Sequence, residues 1–129
     1  MKKDNWQTGR RGEDLAVKFL GKKGYRIEER NFRTRFGEVD IVCWDGEILV
    51  FVEVKTKKGH DFGEPEEMVN KSKLAKVKRM GEIYIKNYEL GIKNNGGNKW
   101  NGGCRIDVVA VVLGEGDLIE RIDHYEAVD

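Results

Sequence analysis

The chain has 129 residues, of which 39% are hydrophobic and 36% are charged, and its formal net charge is +1. This length suits one compact domain, so the sequence predicts a single domain over residues 1–129. It contains no run of about 18 apolar residues and no apolar segment behind the basic N-terminus, which predicts neither a membrane span nor a signal peptide. Cys43 and Cys104 are then expected to be free thiols in a cytoplasmic protein.

Charge alternates along the chain although the total is close to zero. Residues 1–35 carry a net charge of +6 and residues 67–103 one of +5, whereas residues 36–66 and 104–129 carry −5 each. Basic segments on both sides of an acidic one are typical of proteins that contact a polyanion, but solvated helix faces give the same pattern. Charge alone therefore leaves a nucleic-acid partner and an ordinary charged surface both open.

The first predicted elements are a helix and three strands. Helical spacing of apolar residues predicts a helix over residues 9–23, capped by Thr8 and ended by Gly24. A half-exposed strand follows around residues 25–32, and a second strand covers residues 38–44. Asp45-Gly46 predicts a two-residue hairpin turn. Residues 48–55 are the most apolar run and predict a central strand that is covered on both faces.

The second half of the chain predicts a longer helix over residues 67–90, between polar loops at residues 56–65 and 91–103. Two further strands are predicted over residues 106–113 and 118–125, joined by a glycine-containing turn. The order of these elements indicates an α/β fold in which one mixed central sheet is flanked by helices.

The predicted hairpin also sets a register that groups acidic side chains. With the turn at residues 45 and 46, Glu38 lies opposite Glu53, and Asp40 lies opposite Phe51. Because side chains alternate along a strand, four charged residues then project from one face of the sheet: Glu38, Asp40, Glu53 and Lys55. A register shift of one residue would distribute these groups over both faces.

Carboxylates held close together repel each other unless a proton or a cation lies between them. Lys55 neutralises one of them, and a hard divalent cation such as Mg²⁺ or Mn²⁺ would satisfy the others. Glu13, at the edge of the apolar stripe of the first helix, adds a further acid within reach. The pattern predicts metal-dependent phosphodiester hydrolysis, in which Lys55 orients water or stabilises developing charge. The alternative is structural: Glu53 and Lys55 pair at a strand end, while Glu38 and Asp40 are exposed.

Six motifs spread over most of the chain carry a resemblance to a known family. They are Gly12-Glu13-Asp14-Leu15-Ala16, Arg30-Asn31-Phe32-Arg33, Gly37-Glu38-Val39-Asp40-Ile41-Val42, Leu49-Val50-Phe51-Val52-Glu53-Val54-Lys55-Thr56-Lys57, Gly63-Glu64-Pro65 with Lys71, and Arg105-Ile106-Asp107-Val108-Val109. Over about residues 9–112 the chain resembles the YraN-like family of small bacterial proteins. It is similar more broadly to the PD-(D/E)XK superfamily, which includes Holliday-junction resolvases and restriction enzymes. Val39 stands where the superfamily motif has proline.

The resemblance implies a restriction-endonuclease-like α-β-β-β-α-β core and a Mg²⁺-dependent endonuclease. The implied metal ligands, for Mg²⁺ or Mn²⁺, are Glu13, Asp40 and Glu53, with Lys55 as the catalytic lysine. Glu38, which the hairpin register groups with them, is predicted to support the site. The implied substrate is nucleic acid, with DNA in repair or recombination expected. A module that keeps this fold but binds nucleic acid without cleaving it is the alternative.

Basic side chains are predicted to contact the nucleic-acid backbone, because arginine grips phosphates in a forked geometry and lysine acts as a point charge. These predicted contacts are Arg30, Arg33, Arg35, Lys57 and Lys71. A twofold homodimer would suit a symmetric junction or duplex substrate, although no motif demands one.

Overall fold

The structure, a computed structural model, describes residues 2–58, 70–90 and 102–128. The elements in chain order are α1 (Lys2–Lys22), β1 (Arg26–Thr34), β2 (Gly37–Asp45), β3 (Ile48–Lys58), α2 (Lys71–Glu89), β4 (Cys104–Leu113), a short 3-10 turn (Glu115–Asp117) and β5 (Ile119–Tyr125). The strands form one sheet in the order β1-β2-β3-β4-β5, parallel between β3 and β4 and antiparallel at the other three pairs. The predicted α/β fold, a mixed sheet with flanking helices, is therefore confirmed.

Both helices begin at positions other than the predicted ones. Helix α1 starts at Lys2, so the predicted cap at Thr8 is wrong, because a nucleated helix extends through residues of moderate propensity at little cost. Helix α2 starts at Lys71 and not near residue 67, because the Asn70 side chain caps it by accepting a hydrogen bond from the Lys73 N–H at 2.9 Å. Most of both predicted polar loops lies outside the described residues, as does the Gly63-Glu64-Pro65 motif.

The end of α1 is the one predicted from Gly24. This glycine adopts a φ of 94°, a left-handed conformation that it tolerates without a steric penalty. The Gly24 N–H donates to the Gly21 carbonyl and the Tyr25 N–H donates to the Leu20 carbonyl, both at 3.0 Å. Together these bonds form a Schellman motif, and the buried side chains of Tyr25 and Leu20 accompany it. The predicted helix end is therefore confirmed.

The β2–β3 hairpin turns one residue later along the chain than predicted. Asp45 pairs with Ile48, so the turn consists of Gly46 and Glu47 and not of Asp45 and Gly46. Gly46 has a φ of 61° at the first position of this loop, where a type II′ turn favours glycine.

The observed register brings Asp40 of β2 closer to Glu53 of β3 than the predicted register does. The predicted pairing of Asp40 with Phe51 is wrong, since Phe51 pairs with Val42. The β2–β3 ladder ends at Ile41, and the same register continued by one residue sets Asp40 against Glu53. Because side chains alternate with a period of two, a register change of two residues leaves Glu53 and Lys55 on their predicted face of β3. The predicted pairing of Glu38 with Glu53 is wrong in the same way as that of Asp40 with Phe51.

The core has one part on each face of the sheet. On one side α1 packs over a cluster that includes Ala16, Leu20, Val52, Val54 and Val109. On the other side α2 packs over a second cluster that includes Phe32, Phe51, Val77, Met80 and Tyr84. The central strands β3 and β4 are thus covered on both faces, as predicted from their apolar runs. No helix in the described ranges is long and apolar enough to cross a membrane.

Helix α1 approaches the C-terminal half of β3 most closely at the buried Gly12. A Cβ atom at this position would overlap the Thr56 side chain and lie 2.9 Å from its Cβ. Only glycine therefore lets the helix lie this close to the strand. The next residue is Glu13, so this contact also sets how far Glu13 stands from the sheet.

We expect Gly12→Ala to lower the free energy of unfolding by about 1–3 kcal/mol, because the added methyl group pushes α1 away from Thr56. Gly21→Ala is the matched control, since no described atom lies within 4 Å of a Cβ there. That control should stabilise the helix by about 0.5–1 kcal/mol. Urea unfolding measures the stability of both variants. Adding Thr56→Gly to the Gly12→Ala variant should recover most of the lost stability, because it removes the side chain that the new methyl group meets. Equal free energies for the two alanine variants would contradict the close packing.

Candidate functional site

One cleft at the C-terminal end of β3 collects predicted site residues from separate parts of the chain. It is lined by Glu13 from α1, Asp40 from β2, and Glu53 and Lys55 from β3. Lys73 from the first turn of α2 completes the charged lining. The fold thus brings four predicted residues together, and their roles as metal ligands and catalytic lysine stay predictions.

Asp40 lies where the regular pairing of β2 with β3 stops. Val39 packs in the cluster on the α2 side and Ile41 in the cluster on the α1 side, so the strand's alternation is interrupted around Asp40. The Val54 N–H donates to Asp40 Oδ2 at 2.8 Å. The carboxylate therefore takes the place that a backbone carbonyl of β2 would occupy in a continuing ladder.

The surroundings of Asp40 disfavour its charged form. Burial, and then the neighbouring Glu53 carboxylate, raise the pKa of Asp40 to about 7, although the Val54 N–H opposes the shift. Glu13 and Glu38 raise the pKa of Asp40 further through their negative charge. Near neutral pH the cleft is consequently close to taking up a proton, and a divalent cation would compete for the same place.

Glu53 is held in the core by an ion pair with Lys73, a residue that is not among the predicted site residues. Its exposed fraction is 4%, and the Lys73 Nζ lies 2.8 Å from Glu53 Oε1. A buried carboxylate without a partner costs several kcal/mol, so Lys73 makes this position tolerable. Burial alone would lower the pKa of Lys73, but the contacts with Glu53 outweigh it and the pKa is raised. The sequence signal that could have indicated Lys73 is the Asn70 cap, because it fixes Lys73 in the first turn of α2.

Lys55 differs from Lys73 although both lie near the same acid. Burial and the positive charge of Lys73 lower the pKa of Lys55, and the opposing effect of Glu53 is smaller. The Lys55 amine is therefore easier to deprotonate than an ordinary lysine amine. A lysine with this property beside carboxylates in a cleft is suited to chemistry at a developing charge.

The donor set of the cleft fits a hard divalent cation. Glu13, Asp40 and Glu53 offer carboxylate oxygens, the ligands that Mg²⁺ and Mn²⁺ prefer. Three carboxylates face two ammonium groups, so one formal negative charge is left over, and the neighbouring acids add to burial in raising the pKa of Asp40. Lys73 occupies one oxygen of Glu53, so an ion would bind the other oxygen or displace the amine.

A second cleft adjoins the first and shares Glu13 with it. The Asn31 amide satisfies its neighbours with its nitrogen toward the acids, donating to Glu13 Oε1 and Glu38 Oε1 at 2.9 Å each. Asn31 adopts a φ of 54°, which asparagine tolerates better than most residues. Burial and then the Glu38 charge raise the pKa of Glu13. Glu38 lies in this second cleft and not in the first, and the whole lining is Gly9, Arg10, Glu13, Arg30, Asn31, Arg33 and Glu38.

Two of the five predicted nucleic-acid contacts line the second cleft, and the other three line neither cleft. Arg30 pairs with Asp14 at 2.7 Å, and Arg33 pairs with Glu38 at 2.8 Å, both at solvent-accessible positions of the second cleft. Pairs of this kind contribute little stability and can exchange partners. The remaining three lie at the β1–β2 turn, near the end of β3 and at the start of α2: Arg35, Lys57 and Lys71.

A different polar cluster lies on the α1 side of the sheet, near the other end of α1. Asp107, His124 and Glu126 offer ligand atoms within 4.8 Å of one another, a spacing that could hold a metal ion. Asp107 is fully buried and already accepts from Arg105 Nε and the Ala127 N–H at 3.0 Å, with His124 Nε2 2.8 Å away. Burial would raise the pKa of Asp107, but these contacts lower it. Arg105 thus supplies the positive charge that this cluster needs.

The fold and the first cleft define the class of protein: a small α/β protein, consistent with a restriction-endonuclease-like core, with acids and lysines at the end of a central strand. The model of Uncharacterised protein family UPF0102 matches residues 12–111, and the chain belongs to this family. Glu13, Asp40, Glu53, Lys55 and Lys73 all fall within the matched range. The resemblance to the YraN-like family is therefore confirmed.

Relatives in several bacteria match most of the chain, and each is named a UPF0102 protein. The one from Dictyoglomus turgidum is 40% identical over 110 residues, which cover 85% of this chain and 86% of the relative. The one from an Arthrobacter species is 41% identical over 121 residues, or 93% of each chain. The one from Syntrophomonas wolfei is 49% identical over 82 residues, or 64% of this chain and 71% of the relative.

We expect Asp40→Asn to stabilise the metal-free protein, and to do so more strongly as the pH rises. The wild-type fold binds a proton on Asp40 more tightly than the unfolded chain does. The stability that comes from this proton is complete below about pH 3.8 and is lost as the pH rises through about 7. The asparagine variant has no such loss, and its advantage should reach roughly 2 kcal/mol at pH 8 in EDTA. Denaturant unfolding between pH 5 and 8 measures the difference in stability between the variant and wild type. A difference that does not grow with pH would contradict the raised pKa of Asp40.

We expect Asp107→Asn to lower the free energy of unfolding by about 2–4 kcal/mol above pH 5, because Arg105 then faces no buried carboxylate. The pKa of Asp107 is lowered, so this contribution is lost as the pH falls through its folded value and the variant should approach wild type in acid. Thermal unfolding with and without Zn²⁺ tests the metal alternative. A Zn²⁺-dependent rise in Tm that Glu126→Gln abolishes would overturn the structural role.

Proposed function

We propose that the chain is a metal-dependent nuclease that hydrolyses phosphodiester bonds in nucleic acid, with DNA as its expected substrate. The observation that carries the proposal is the convergence of Glu13, Asp40 and Glu53 with the Lys55 amine in one open cleft. Phosphodiester hydrolysis needs a positive centre for the phosphate and an activated water, and this combination of groups can supply both. We place the protein in the cytoplasm, since both cysteines are free thiols.

The three carboxylates would hold Mg²⁺ or Mn²⁺, which when bound neutralises phosphate charge and lowers the pKa of a water molecule. The protein holds these carboxylates in position. The Val54 N–H orients the Asp40 carboxylate, and the Lys73 amine orients that of Glu53. Lys55 can donate hydrogen bonds to the phosphate oxygens as their negative charge grows, or hold a proton near the attacking water.

The second cleft gives the substrate a route to these acids. Arg30 and Arg33 line it and keep their guanidinium groups partly in solvent. Phosphate groups can replace the surface carboxylates of Asp14 and Glu38 as partners of these arginines, because arginine binds both in the same forked geometry. A backbone bound in this way would lie beside Glu13, which lines both clefts.

One observation supports the alternative, a module that binds nucleic acid without cleaving it. Lys73 already pairs with Glu53, so part of the acidic charge is neutralised without an ion. A binding module would keep this pair and use the basic residues alone. The two functions differ in what they require of Asp40 and Lys55, and substitution of these residues separates them.

With Mn²⁺ or Mg²⁺, we expect wild-type protein to cleave at least one member of a panel of linear, flapped and four-way DNAs and an RNA. Asp40→Asn should abolish Mn²⁺ binding in calorimetry, and Lys55→Gln should reduce the cleavage rate by roughly 100-fold or more because it removes stabilisation of developing charge. Lys18→Gln on the exposed face of α1 removes the same charge outside the clefts and should leave the rate unchanged.

Circular dichroism of each variant verifies the fold. Absence of cleavage on every substrate with both metals, together with DNA binding that Asp40→Asn leaves intact, would refute the nuclease and support the binding module.

A further inference from the structure

An aromatic ring stands at the tip of the β1–β2 hairpin, within reach of two arginine side chains. Phe36 is 41% exposed. The guanidinium carbon of Arg35 lies 4.8 Å from the centre of its ring, and that of Arg79 from α2 lies 4.2 Å away. Both distances are within the range of cation–π attraction.

The hairpin tip is fixed in place and does not depend on Phe36 alone. The Phe36 N–H donates to Thr34 Oγ1 at 3.0 Å, and the Thr34 hydroxyl donates to Met80 Sδ at 3.2 Å. Met80 is fully buried in α2. The turn is thus tied to the helix, so the backbone that carries the ring is ordered before any ligand arrives, which reduces the entropy cost of binding.

The ring lies next to the clefts that the proposed function uses. Arg33 and Glu38 pair with each other across the β1–β2 ladder directly beside the turn, and both line the second cleft. Arg79 belongs to α2, the helix whose first turn carries Lys73 of the first cleft. The ring is thus two residues beyond Glu38 around the hairpin tip, where it faces α2, and an unpaired segment that leaves the second cleft at Glu38 would reach it there.

We propose that Phe36, Arg35 and Arg79 form a stacking platform for an unpaired nucleobase. Aromatic rings and guanidinium planes stack on any base, whereas the bases of an intact duplex are already stacked and paired and cannot reach a ring at the protein surface. The substrate class is then nucleic acid in which a single-stranded segment adjoins the bound backbone, such as a flap or a gap. This inference rests on the proposed function, because it names the substrate of that site.

The test measures binding without cleavage, in EDTA, by fluorescence anisotropy of a labelled flap duplex and a blunt duplex of equal length. Phe36→Leu keeps an apolar side chain against Arg79 but removes the aromatic face, and Phe36→Trp keeps that face. We expect Phe36→Leu to weaken flap binding by roughly 5- to 100-fold while blunt-duplex binding changes by less than about twofold. Phe36→Trp should bind the flap as well as wild type.

Leu118→Ala is the control, because Leu118 is 71% exposed and lies at the far turn before β5. It should change neither affinity. Thermal unfolding of Phe36→Leu shows whether the hairpin tip stays folded. Flap binding by Phe36→Leu equal to wild type, or an equal loss on flap and blunt duplex, would overturn the platform.

A separate cleavage assay with Mn²⁺ distinguishes failure of the stacking platform from failure of the proposed nuclease function. If wild type and the Phe36→Leu variant both cleave blunt and flap DNA equally well, the protein is a nuclease without the platform, which overturns the present inference. A protein that cleaves nothing but loses flap affinity in Phe36→Leu keeps the platform and refutes the nuclease.

Discussion

The hydrogen bond from the Val54 N–H to the Asp40 carboxylate is the constraint on which the candidate site depends. The β2–β3 ladder ends at Ile41, so this backbone donor of a buried strand needs another acceptor, and an unpaired one would be costly. Asp40 supplies the acceptor and is thereby held beside Glu53, whose charge helps to raise the pKa of Asp40. One side chain thus completes the sheet and creates the surplus of negative charge in the cleft.

Glu53 and Asp107 are the two buried charged residues among those described, and their surroundings explain why only one of them belongs to the candidate site. Asp107 is enclosed, accepts bonds from Arg105 and its neighbours, and has a lowered pKa, so its charge is fully compensated. Glu53 has Lys73 as its partner but shares an open cleft with Asp40, whose charge is not compensated. An uncompensated charge with access from solvent can bind a ligand, whereas a compensated and sealed one can only stabilise the fold.

The sequence predicted what depends on local geometry and missed what depends on distant contacts. Gly24 ends α1 as expected because a left-handed residue is a local requirement. The turn was misplaced because the Asp45 carboxylate accepts from Arg105 Nη1 at 2.9 Å, a contact across 60 positions that keeps Asp45 in the strand. The period-two alternation still carried Glu53 to its correct face. Lys73 could not be assigned from spacing, since its role depends on where α2 packs over β3.

In the fold, some of the charges that alternate along the chain form ion pairs with each other. The basic first segment supplies Arg30 and Arg33, which pair with Asp14 and with Glu38 of the acidic second segment, so the charge of these two arginines is neutralised within the protein. Phosphates must compete with these internal partners, and salt weakens what remains. Electrostatic attraction alone then gives a polyanion limited affinity. The proposed stacking on the Phe36 ring would not require an uncompensated charge, so it would add affinity of the kind that this surface otherwise lacks.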